Sequence, residues 1–139
     1  MKKYRFYGWQ TADVKPINNE FDVKDPKDLY DKLSNVWCAY TCTPRLRERW
    51  TKENKTLGQC SITAFLAQEI FGGKVYGVAT PSGVHCFNDV GGVFFDLTSE
   101  QFPEEISYEN AVEQIREEQF AKTEKYERYL YLKEKLKDR

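Results

Sequence analysis

The 139-residue sequence lacks long hydrophobic runs and holds a single histidine, His85. Its first residues are basic, but no apolar segment follows them, so we expect neither a secretory signal nor a membrane span. Basic and acidic side chains number 21 and 22, and this balance lacks the positive footprint of proteins that bind nucleic acids or membrane surfaces. We therefore expect a cytoplasmic protein without either partner. The sequence leaves its oligomeric state open.

Cysteine is also scarce, with four residues in the chain, Cys38, Cys42, Cys60 and Cys86. Disulfides rarely persist in the cytoplasm, so we expect these thiols to be reduced. The spacing of Cys38 and Cys42 is one that zinc accepts. The other possible ligands, Cys60, His85 and Cys86, lack any tight ligand spacing. We predict no cofactor, and a zinc-stabilised interaction protein stays open as a weaker alternative.

The chain length predicts a single domain over residues 1–139, large enough to bury a core without disulfide or metal support. Residues 1–24 are polar with scattered aromatics and no clear period, which indicates an extended arm packed over the domain. Residues 107–139 are rich in Glu and Lys, and an intermittent apolar stripe predicts a long helix, or two with a break. The stripe consists of Ala111, Val112, Ile115, Phe120, Tyr126, Tyr129, Leu130 and Leu136.

Two helices are predicted in the middle of the chain. The pair Asp25-Pro26 is a helix start signal and predicts a helix over roughly residues 26–37. Residues 38–56 have no sustained period, which is typical of a loop-rich connection, with or without a short helix. The apolar run from Cys60 to Phe71, closed by Gly72-Gly73, predicts a short, mostly buried second helix.

Three short strands are predicted after that helix, over residues 74–79, 84–90 and 93–97. Gly91-Gly92 separates the last two strands and predicts a hairpin. The expected fold is thus α+β, with a small antiparallel sheet packed against the buried helix that begins at Cys60 and against the long C-terminal helix.

Cys60 is the candidate nucleophile because it opens an apolar helix upstream of the only histidine. A thiol at a helix N-terminus and within reach of an imidazole loses its proton more readily than a free thiol. His85 would accept that proton and later donate it to a leaving group, while Asp96 would orient the imidazole. Thiol, base and orienter follow in the order of a cysteine hydrolase or acyltransferase.

The predicted hairpin brings His85 and Asp96 to the same face of the sheet. If the loop holds only Gly91-Gly92, the two side chains lie diagonally across the strand pair. If the loop runs over residues 89–92, they lie directly opposite. A three-residue loop or a bulge would separate them.

Gln59 and the backbone amide of Cys60 are the candidate donors of an oxyanion hole. Each candidate also has a purely structural interpretation. Cys60 is then a small core residue, His85 a hydrogen-bonded strand residue, and Asp96 the cap of the turn that follows it. The basic residues Arg45, Arg47 and Arg49 either bind an anionic group of a substrate or form a solvated face.

Several motifs occur in a specific order over roughly residues 29–102, namely Trp37, Arg45–Trp50, Leu57–Ala64, Phe71–Gly73, His85–Asn88 and Phe95–Phe102. In this combination they resemble the YunG-like family of small bacterial proteins. The order of cysteine, histidine and aspartate is similar to that of transglutaminase-like and arylamine-acetyltransferase-like members of the papain-type superfamily. In those proteins a helix carries the thiol and a following sheet carries the imidazole and the carboxylate.

The resemblance implies a papain-like or transglutaminase-like fold with Cys60 as nucleophile, His85 as base and Asp96 as orienter. It assigns no role to Asn88. The predicted function is a cysteine-dependent hydrolase or acyl or amide transferase that acts on a peptide, isopeptide or side-chain amide through a thioester. The alternative is a noncatalytic module that binds a ligand or protein in the same cleft.

Overall fold

The computed structural model describes residues 4–138, so the first three residues of the predicted arm and residue 139 lie outside the described residues. The helices within this range are α1 (Pro26–Leu33), α2 (Cys60–Phe71), α3 (Arg116–Phe120) and α4 (Thr123–Lys137). The strands are β1 (Lys74–Thr80), β2 (Gly83–Val90), β3 (Val93–Phe95) and β4 (Val112–Glu113). The architecture is α+β, as predicted. No helix in the described range is long and apolar enough to cross a membrane.

The four strands form one antiparallel sheet in the order β3-β2-β1-β4. Val90 pairs with Val93, which confirms the two-residue turn at Gly91-Gly92. The prediction that the last hairpin strand continues to Leu97 is wrong, because β3 ends at Phe95. The next residue, Asp96, instead donates its backbone N–H to the carbonyl of Tyr7 in the N-terminal arm, at 3.0 Å.

The short β3 leaves part of β2 open. The ladder between the two strands covers only Asn88 to Val90 of β2. On that side, residues 83–87 of β2 have no strand partner among the described residues. The backbone groups on this open edge are therefore free to contact another element.

α2 has the predicted bounds, and eight of its 12 residues are buried. Burying a large aliphatic or aromatic side chain contributes roughly 1.5–3 kcal/mol, so this helix is a major source of stability. Asn88 donates its side-chain amide to the carbonyl of Ala64 at 2.9 Å, which ties the centre of α2 to β2. Gly72 ends the helix at a positive φ of 83°.

α1 begins as predicted, with Pro26 at its first position and the Asp25 carboxylate accepting the backbone N–H of Asp28 at 2.8 Å. The predicted extension to residue 37 is wrong, because the helix ends at Leu33. The chain turns there and buries Trp37, whose indole N–H donates to the Thr63 hydroxyl on α2 at 3.0 Å.

The C-terminal segment differs from its prediction in residues 107–114. Val112 pairs with Gly77 of β1, so this stretch adds a fourth strand instead of a helical turn. Gln114 also donates its backbone N–H to the carbonyl of Val75 at 2.8 Å. The edge of β1 supplies hydrogen-bond partners, and such tertiary contacts override the local helical preference of this stretch.

The remaining C-terminal residues form the two helices with a break that the sequence allowed. α4 buries Tyr129, Leu132 and Leu136, which are spaced three and four residues apart. Tyr126 and Leu130, also part of the predicted stripe, are exposed instead. α4 therefore docks on the core by one face, and that face extends into the region around α2.

The N-terminal arm from Tyr4 to Lys24 contains little regular structure beyond a short 3-10 turn at Trp9–Thr11. Its buried side chains join the same apolar core as α2. These side chains are Phe6, Ala12, Phe21 and Val23. The loop-rich connection holds two 3-10 turns, at Pro44–Arg49 and Lys52–Asn54.

Candidate active site

Cys60 is the first residue of α2 and lies against the open edge of β2. Its thiol donates to the carbonyl oxygen of Val84 at 4.0 Å, and its Sγ accepts the backbone N–H of Cys86. Both backbone groups point away from β1 because they alternate with those of His85, which faces that neighbour. The short β3 thus makes room for the thiol beside β2.

The His85 imidazole lies beside this thiol and is 2 % exposed. Its Nε2 is 2.6 Å from Asp96 Oδ2, so Nδ1 is the ring nitrogen left for the hydrogen bond with Cys60. The Phe102 ring packs edge-on against the imidazole with centroids 4.7 Å apart. The imidazole is therefore held between a carboxylate and a thiol, with an apolar wall on one side.

Asp96 is held by more donors than His85 alone. The Tyr108 hydroxyl donates to Oδ2 at 2.7 Å. The backbone N–H and the hydroxyl of Thr98 donate to Oδ1 at 3.1 and 3.3 Å. The carboxylate thus contacts both the imidazole and the turn that follows it.

The thiol and the imidazole each shift the pKa of the other. A hydrogen bond from the Cys86 thiol lowers the pKa of Cys60 well below its ordinary value, burial opposes this shift, and the hydrogen bond and charge of His85 lower it further. Burial disfavours the imidazolium, but the Asp96 and Cys60 contacts raise the pKa of His85 to about 10. Both shifts favour a thiolate at Cys60 beside an imidazolium at His85.

Gln59 is fully buried directly before α2, and its side chain does not line the cleft beside Cys60. Its amide Nε2 donates to the carbonyl of Cys38 at 3.1 Å, so this donor is engaged away from the thiol. That Gln59 contributes to an oxyanion hole stays a prediction. It requires the hydrogen bond between the Gln59 amide and the Cys38 carbonyl to break. As the first residue of α2, Cys60 has a backbone N–H without a partner inside the helix.

A cleft of about 360 Å³ opens in front of Cys60 and His85. Its walls come from the 3-10 turn at Arg45, the β1–β2 turn, Phe102 and the beginning of α4. The other two arginines of the predicted basic cluster have different environments. Arg47 donates to three backbone carbonyls, and Arg49 is exposed outside the cleft.

Within residues 4–138, no three histidine, cysteine, aspartate or glutamate side chains lie close enough together to hold a metal ion. Cys38 and Cys42 lie in the turn before the basic segment, and Cys42 is buried against Leu46 and Leu57. Cys38 and Cys42, whose spacing zinc accepts, therefore lie in one local turn.

Sequence reasoning missed several residues of the site. Tyr108 follows Asp96 by 12 residues in a stretch predicted to be helical, and no local signal links the two. Lys122, Lys125 and Arg128 also reach the cleft. Their spacing of three residues indicates one helical face, but it is equally typical of a solvated face.

Comparison with known proteins gives a consistent family assignment. Residues 25–139 match the family model described as "YunG protein". The chain is 38% identical over 102 residues to "Uncharacterized protein YunG" of Bacillus subtilis (strain 168), and the match covers 73% of this chain and 83% of that protein. No solved structure matches the chain.

Proposed function

The chain belongs to the YunG family, and we propose that it acts as a cysteine-dependent hydrolase or acyl or amide transferase. The substrate is a peptide, isopeptide or side-chain amide, and the reaction passes through a thioester at Cys60. The observation that carries this proposal is the position of His85 between the Cys60 thiol and the Asp96 carboxylate.

The acylation step begins with attack of the Cys60 thiolate on the carbonyl carbon of the substrate. The negative charge that develops on the carbonyl oxygen is stabilised by the backbone N–H of Cys60, and one such donor contributes on the order of 3 kcal/mol. The His85 imidazolium donates its proton to the leaving nitrogen as the C–N bond breaks. The products are a thioester at Cys60, a free amine and a neutral imidazole.

The deacylation step uses the same groups in reverse. Water or an acceptor amine loses a proton to the neutral His85 imidazole and attacks the thioester carbonyl. The C–S bond breaks, which restores the thiolate and the imidazolium. Asp96 takes no proton in either step, because it holds Nε2 and leaves Nδ1 to face the reacting atoms.

The proposal extends to a papain-like organisation of the site. Its support is that α2 carries the thiol, β2 carries the imidazole, and the residue after β3 carries the carboxylate. The chain needs no further group for thioester formation. A noncatalytic binding module on this scaffold would place a ligand in the same cleft without forming that bond.

Acylation by 4-nitrophenyl acetate tests the proposal directly. At about pH 6, where an ordinary thiol is protonated, we expect a burst of 4-nitrophenol and an acetyl group on Cys60, located by peptide mass spectrometry. His85→Ala should slow acylation by about 10²–10⁴-fold, and Cys60→Ala should abolish it. Cys38→Ala, which removes a thiol outside the cleft, is the matched control. Equal acylation in wild type and His85→Ala would favour the binding module.

A further inference from the structure

The cleft in front of Cys60 is lined by cations from two separate segments. Arg45 comes from the 3-10 turn before α2, while Lys122, Lys125 and Arg128 come from the beginning of α4. Among the residues that the structure describes, no aspartate or glutamate side chain lines the cleft. A nearly neutral chain has therefore concentrated positive charge around its candidate nucleophile.

Most of these cations have no carboxylate partner within residues 4–138. Lys125 Nζ donates to the neutral side-chain oxygen of Gln119 at 2.7 Å, and Arg45 donates to a backbone carbonyl. Lys122 forms no ion pair in the described part of the chain. Only Arg128 is paired, with Glu124 of its own helix. Arg45, Lys122 and Lys125 thus line the cleft without a carboxylate partner within residues 4–138.

Two lysines lie at the N-terminal end of α4, where the first turn holds one carboxylate, Glu124. Lys122 directly precedes the 15-residue helix, and Lys125 lies in its first turn. The helix dipole is positive at this end, so cations there are disfavoured and anions are favoured. Burial and the charge of Lys122 lower the pKa of Lys125, while the charges of Cys86 and Cys60 oppose this shift. A bound anion would relieve both effects.

We propose that the acyl substrate carries a carboxylate that binds to Arg45, Lys122 and Lys125 beside the Cys60 thiol. A guanidinium matches a carboxylate with two parallel hydrogen bonds, and the two ammonium groups add charge without fixing its orientation. The cleft volume of about 360 Å³ is at the lower end for ligand sites, which suits a short segment rather than a folded partner. This inference rests on the proposed function, because it names the substrate class of the same site.

The relative rates of Cys60 with iodoacetate and iodoacetamide test the inference. In each reaction the thiolate sulfur forms a bond to the methylene carbon and iodide leaves with the electron pair. The two reagents differ mainly in the carboxylate of iodoacetate. Both react with the thiolate, so the ratio of the iodoacetate rate to the iodoacetamide rate does not depend on the fraction of the thiol that is deprotonated. We expect the ratio at Cys60 to exceed the ratio at Cys38 by about tenfold and to fall as salt screens the cations.

Lys122→Gln/Lys125→Gln should lower the ratio at Cys60 at least about threefold, since it removes two of the three free cations. The matched control is Lys52→Gln/Lys135→Gln, which changes the net charge equally at exposed positions outside the cleft. The His85 imidazolium also attracts iodoacetate, but it does so equally in both variants. Arg45→Gln tests the opposite wall independently if the α4 variant fails to fold.

The outcomes separate this inference from the proposed function. If both reagents alkylate Cys60 rapidly at about pH 6 but with the ratio seen at Cys38, the carboxylate site is wrong and the thiolate pair stands. A preference for iodoacetate that the α4 and Arg45 variants leave unchanged also overturns the carboxylate site. If Cys60 is inert to both reagents at this pH, the proposed function itself fails.

Discussion

His85 Nε2 and Asp96 Oδ2 lie 2.6 Å apart, and the two side chains are 2 % and 1 % exposed. A hydrogen bond this short between a buried imidazole and a buried carboxylate fixes the orientation of the ring. It also determines which nitrogen faces Cys60. The relationship between these two residues is therefore the basis for predictions about charge and reactivity.

Asp96→Asn should lower the pKa of His85 from about 10 by roughly one to three units, because it removes the opposite charge with little change in shape. His85 is the only histidine, so one imidazole resonance in the NMR spectrum of untagged protein reports the shift. Tyr108→Phe removes another hydrogen bond to Asp96 but keeps its charge, and should shift the pKa less. An unchanged His85 titration in Asp96→Asn would contradict the assigned cause.

The acylation rate with an anilide substrate, whose leaving nitrogen must take a proton from the imidazolium, should be bell-shaped in pH. The thiolate of Cys60 persists to pH values well below the ordinary thiol pKa of about 8.5, and this sets the acid limb. The imidazolium of His85 loses its proton as the pH rises through about 10, and this sets the alkaline limb. His85→Ala should move the acid limb toward the ordinary thiol pKa, measured from the pH profile of acylation. An acid limb that stays in place would remove His85 as the cause.

Cys86→Ala should raise the pKa of Cys60, because the Cys86 thiol donates a hydrogen bond that favours the thiolate. Hydrogen bonds to charged groups contribute about 1.5–3 kcal/mol, which corresponds to about one to two pKa units. The pH profile of iodoacetamide alkylation at Cys60 measures the shift. Cys86→Ser keeps a donor and should shift it less, while Cys42→Ala is the control for loss of a buried thiol elsewhere. Equal profiles in all variants would show that the donor is unimportant.

Gly58→Ala should destabilise the fold by about 2–4 kcal/mol, from strain at a positive backbone angle together with overpacking. Its φ is 69°, and an added Cβ would lie 2.5 Å from the Cys42 sulfur and 3.1 Å from the Thr43 nitrogen. Gly91→Ala has a similar φ of 60° but open space around the added atom, so it should cost only about 1–2 kcal/mol. Denaturant unfolding measures the two losses. Equal losses of stability in the two variants would mean that the Cys42 side chain moves away from the added Cβ without a cost in free energy.

The candidate site was only partly predictable from the sequence. The proximity of His85 and Asp96 depends on the hairpin register, which two consecutive glycines indicate locally. The direction of the Gln59 amide depends instead on the Cys38 carbonyl, which belongs to a distant turn. No periodicity reports such a contact, because the partner is determined by how two separate segments pack.

Local sequence determined the elements whose signals lie within a few residues of one another. α2 begins at Cys60 and ends at Phe71. It ends there because the glycine pair that follows favours a helix stop. The tertiary structure alone decided the features that join distant segments. β4 forms where the edge of β1 offers backbone hydrogen-bond partners. The Tyr108 hydroxyl contacts the Asp96 carboxylate because the segment before β4 packs beside it. The cations of α4 likewise meet Cys60 only because the helix packs beside it, since electrostatic and hydrogen-bonding partners are chosen by distance in space.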